Sequence, residues 1–83
     1  MKLFGYDASD GDERAHPRAL REATIVATAD ELRAIADFLR RCADALDQHG
    51  PRFGHEHLCD FVRGTPLAAM TDDADVIAVR AGS

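Results

Sequence analysis

His55 and His57 are separated by a single residue, and in an extended chain side chains two positions apart point to the same side. Two imidazoles so placed can share one metal ion, and Cys59 continues their series. Cys42 lies in the apolar series of a preceding helical stretch and can approach that face if it turns inward. His55, His57, Cys59 and Cys42 therefore form a candidate zinc set of nitrogen and sulfur donors. Ligands strung along one strand do not all converge on one ion, however, and no short-spaced cysteine pair is present. The competing reading is a pair of hydrogen-bonded histidines at a sheet edge or an interface.

Other chemistry finds less support. Glu56 and Asp60 fall on one face of the same extended run, but paired-carboxylate catalysis needs a hydrophobic setting that raises the pKa of one of them, and the neighbouring residues do not require one. Cys59 and His57 as nucleophile and base lack an identifiable third group to orient the imidazole and a donor for an oxyanion. The acid-rich stretch Asp7 to Glu13 is without the glycine and bidentate glutamate that a calcium loop places at fixed positions. No glycine-rich phosphate loop, nucleophile elbow or dinucleotide fingerprint occurs. The chain reads as a non-enzymatic binding protein that carries no cofactor. Its candidate contact surface is His55, Glu56, His57 and Asp60.

The elements that position these residues are strands and one helix. Lys2 to Tyr6 and Leu20 to Ala27 read as strands, the second through its β-branched Thr24, Ile25 and Val26. Thr28-Ala29-Asp30-Glu31 fits a capping box, so a helix begins there. Leu32, Ile35, Ala36, Leu39, Ala43 and Leu46 recur at helical spacing, and Phe38 and Cys42 widen the stripe. Gly50 and Pro51 end the helix. His55 to Val62 alternates as a strand, with apolar residues on both faces. Leu67 to Met70 is a helical turn or a loop, Asp72 to Asp75 a polar turn, and Val76 to Val79 a continuous apolar strand central in its sheet. The expected architecture is α+β: one domain over residues 1–83, in which a four-stranded, mostly antiparallel sheet of ββαββ order packs on one amphipathic helix. One helix covers one face of such a sheet. The other face is left to water, to a partner or to a second copy, which predicts a homodimer.

Composition narrows the partners. A net charge of −5, with arginines interspersed among acids, opposes nucleic-acid binding, which draws its affinity from clustered cations on phosphates. No apolar run approaches the length needed to span a membrane, and the first residues carry no signal-peptide core, so the reading is cytoplasmic and without membrane contact. Two cysteines in a reducing compartment predict free thiols.

Phe53-Gly54-His55-Glu56-His57-Leu58, followed after a loop by Asp75-Val76-Ile77-Ala78-Val79, resembles short bacterial proteins classed among the immunity proteins of polymorphic toxin systems. The helical run Glu31 to Leu39, preceded by a threonine-bearing strand, is similar too, and together these segments cover about two thirds of the chain. The resemblance implies a small non-enzymatic domain that neutralises a cognate toxin by binding it. It assigns no role to either histidine.

Overall fold

The computed structural model describes residues 3–7 and 16–82. Residues 8–15, which hold most of the acid-rich stretch as well as Arg14, lie outside them, as does Lys2 of the first expected strand.

The long helix, α1, runs over Ala29–His49 and is specified locally at both ends. The Thr28 backbone N–H donates to the Glu31 carboxylate at 2.8 Å, and the Glu31 N–H donates to the Thr28 hydroxyl at 3.2 Å. These two bonds satisfy amides that the first turn leaves without intrahelical acceptors. At the other end Gly50 takes a φ of 53°, a conformation that side chains with a Cβ rarely adopt, and its N–H closes onto the Leu46 carbonyl. Pro51 then turns the chain through a short 3-10 segment, Gly50–Arg52.

Among the described residues, four short strands form two separate antiparallel pairs. Strand β1 (Leu3–Gly5) pairs with β2 (Arg18–Leu20), setting Leu3 opposite Leu20 and Gly5 opposite Arg18. Strand β3 (His55–His57) pairs with β4 (Ile77–Val79), setting His55 opposite Val79 and His57 opposite Ile77. Both pairs are antiparallel, although β2 shares only Leu20 with the second strand expected over Leu20 to Ala27, and the α+β class agrees with the sequence reading. The single four-stranded sheet does not, because no hydrogen bonds join one pair to the other among the described residues.

Three expected strands differ in extent or setting. The β-branched run at Thr24 to Val26 is not in a strand; Val26 is 95% exposed, and without a neighbouring strand β propensity has nothing to pack against. The strand expected over 55–62 stops at His57, and Leu58–Val62 forms a short helix, α2. Strand β4 is not central: its one neighbour is β3, and Ile77 and Val79 are exposed. The Leu67 to Met70 stretch contributes to a 3-10 turn at Ala68–Thr71.

The core sits between α1 and the compact segment after it. Ile35, Phe38 and Cys42 of α1 are buried against Phe53, Leu58 and Val62, with Ala45, Leu46, Phe61 and Met70 half-covered around them. Phe38 and Phe61 meet at a tilted 5.7 Å between ring centroids, the offset geometry their quadrupoles prefer. The apolar arc of α1 is wider than this core. Leu32, Ala36, Leu39 and Ala43, one step around the helix, stay exposed.

Candidate functional site

His55 and His57 lie on the same side of β3, as their spacing predicts, and their rings meet edge to face with centroids 5.1 Å apart. The ring of His57 is fixed by a residue far along the chain. Its Nδ1 is 2.9 Å from Oδ2 of Asp75, in the turn that leads into β4. The other oxygen of that carboxylate, Oδ1, accepts from the backbone N–H of Cys59 and of Val76, each at 2.9 Å. The Leu58 N–H donates to the Val76 carbonyl at 2.8 Å.

These bonds explain why the extended run breaks at Leu58. A helix needs acceptors for its first amides. His57, in the cap position of α2, provides no side-chain bond, and Asp75 supplies the missing acceptor from sixteen residues away. At the end of α2, Arg63 closes a 2.6 Å ion pair back onto Asp60, three residues earlier.

The electrostatics follow from this crowding around one carboxylate. Burial alone works to raise the Asp75 pKa, but the bonds from His57, from the Cys59 thiol and from the Cys59 and Val76 amides together hold it below the usual carboxylate range. The same thiol bond to Asp75, then burial and the negative charges of Asp75 and Asp60, push Cys59 up, with Arg63 opposing. A thiol nucleophile needs the opposite shift, and here the carboxylate stands against the sulfur as well as against the imidazole. The arrangement does not activate Cys59. Cys42 is pushed up chiefly by burial, then by Glu56, with Arg41 opposing.

The candidate residues are thus partly regrouped. Cys59 is in the first turn of α2 and not on a strand face with the histidines, yet its sulfur stays close to His57 through Asp75. Cys42 is buried in the core and His55 stands outside the cluster, so neither belongs to the converging donors His57, Cys59 and Asp75. Asp60 is in α2, so it and Glu56 do not share a strand face. Asp75 was missed because three acids in Asp72-Asp73-Ala74-Asp75 read alike as turn residues, and spacing does not say which one turns inward. Its place directly before an apolar strand was the available signal.

Glu56, His57 and Asp60 line one cleft of about 150 Å³ between α1 and the β3–α2 corner. Phe61 forms part of its wall, and the Arg41 guanidinium lies over that ring at 5.8 Å. His55 and Glu56 are exposed beside it. The surface presents both charge signs around an aromatic ring, a composition suited to a protein partner.

No curated protein and no solved structure matches the chain. A family model, described as Immunity protein 32, matches residues 22–80. That stretch contains α1, the whole core, the β3–α2 corner with its Asp75 cap, and β4. The chain belongs to the Immunity protein 32 family.

Proposed function

We propose that this chain is a non-enzymatic, cytoplasmic inhibitor that neutralises a bacterial toxin by binding it, through the surface formed by His55, Glu56, His57 and Asp60. The observation that carries the reading is the family match over residues 22–80, which covers the folded core and this surface together. Supporting it, the cleft beside Phe61 joins Arg41 to the acids Glu56 and Asp60, and the net charge of −5 favours a basic partner face. The test is co-expression with the cognate toxin, scored by growth and by a native mass spectrum of the purified pair. Rescue with a 1:1 complex is expected, and the double charge reversal Glu56→Lys, Asp60→Lys weakens that complex at least about tenfold. Full affinity in the double variant sinks this surface; toxicity without a complex sinks the inhibitor reading.

A homodimer is the second reading, and one observation favours it. Leu32 and Leu39 are about half exposed on a stripe of α1 that the core leaves uncovered. Sedimentation of the purified chain, with Leu39→Asp as the disrupting variant, distinguishes monomer from dimer.

A further inference from the structure

The geometry points to a zinc site formed by His57, Cys59 and Asp75. This goes beyond toxin binding and does not depend on it. One donor atom from each residue lies within 4.8 Å of the other two. A tetrahedral zinc with nitrogen and oxygen ligands at about 2.0–2.1 Å and sulfur at about 2.3 Å places its ligand atoms roughly 3.3–3.6 Å apart. The His57 Nδ1 to Asp75 Oδ2 distance is 2.9 Å, so this pair has to open by only about 0.4 Å to admit the ion.

The ligands come from three different elements: the end of β3, the first turn of α2 and the turn before β4. They approach one point from different directions, which residues strung along a single strand cannot do. The supporting contacts are already in place. Asp75 Oδ1 is held by the amides of Cys59 and Val76, which fixes the carboxylate and leaves Oδ2 facing His57. Such outer contacts orient metal ligands and raise affinity. One nitrogen, one sulfur and one oxygen donor suit zinc, whereas magnesium and calcium select oxygen alone. On binding, a zinc–sulfur bond replaces the Cys59 S–H bond and its proton passes to solvent, while the proton that His57 Nδ1 shares with Asp75 is exchanged through solvent to Nε2, which frees the Nδ1 lone pair for the ion. A water molecule takes the fourth position. The ion then ties the β3–α2 corner to the turn eighteen residues away in sequence.

The experiment is a titration of the chelator-treated full chain with cobalt(II) and then zinc(II). One equivalent of cobalt is expected, with a thiolate charge-transfer band in the near ultraviolet and the visible bands of tetrahedral geometry, both erased by zinc. Cys59→Ser removes the charge-transfer band, Cys42→Ala keeps it, and Asp75→Asn lowers zinc affinity by about 100-fold or more. At zinc about 100-fold above Kd, Tm rises by roughly 10–20 °C. The wild-type titration alone overturns the proposal if no thiolate band appears with cobalt, and so does a band that persists in Cys59→Ser. Neither result touches the toxin reading, which rests on complex formation.

Discussion

Asp75 shows how much one side chain can decide. Its two oxygens receive the His57 ring and two backbone amides, and those bonds hold β3, α2 and the start of β4 in one corner. Asp75→Ala removes the acceptor of two amides at an exposed corner where water can replace it, and a loss of about 0.5–1.5 kcal/mol is expected in urea unfolding of the metal-free protein. Cys42 makes a pH prediction. Its folded pKa lies above the unfolded value, so its contribution is complete below the unfolded value and is lost as pH rises through the folded one. The urea midpoint should therefore fall above about pH 8.5, and fall less in Cys42→Ala.

At the scale of elements, α1 was legible and the β3–α2 corner was not. The capping box and Gly50 are signals within a few residues of the positions they control, so the sequence contains both the instruction and its target. The direction that α1 faces is a different matter. Apolar residues cover about half of its circumference, and the partner segments choose Ile35, Phe38 and Cys42 over Leu32 and Leu39. Phe38→Ala should cost about 3–5 kcal/mol through transfer and cavity terms, enough to leave so small a domain largely unfolded at 37 °C. Leu39→Ala, half exposed, should cost less than about 1 kcal/mol. Equal losses in the two variants would mean that the outer stripe is covered in solution.

For the whole molecule, the family match begins at residue 22, after the β1–β2 pair. Phe4 and Leu20 on that pair and Tyr6 just after β1 are exposed, and among the described residues the buried core draws on nothing before Ile35. Removal of residues 1–20 is therefore expected to leave the unfolding free energy of the remainder within about 0.5 kcal/mol of the full chain, read by urea titration. A larger loss would show that the pair packs on the exposed stripe of α1.

The sequence by itself determined the class, the long helix with both its ends, the shared side of His55 and His57, and the likeness to immunity proteins. Each depends on a local period, a cap or a contiguous motif. Only the tertiary structure decided that the four strands form two sheets, that Leu58–Val62 is helical, and that Asp75 joins His57 and Cys59. In each case the deciding partner is distant in sequence, or absent where a strand was expected. A short apolar segment takes the conformation whose backbone hydrogen bonds its neighbours can complete.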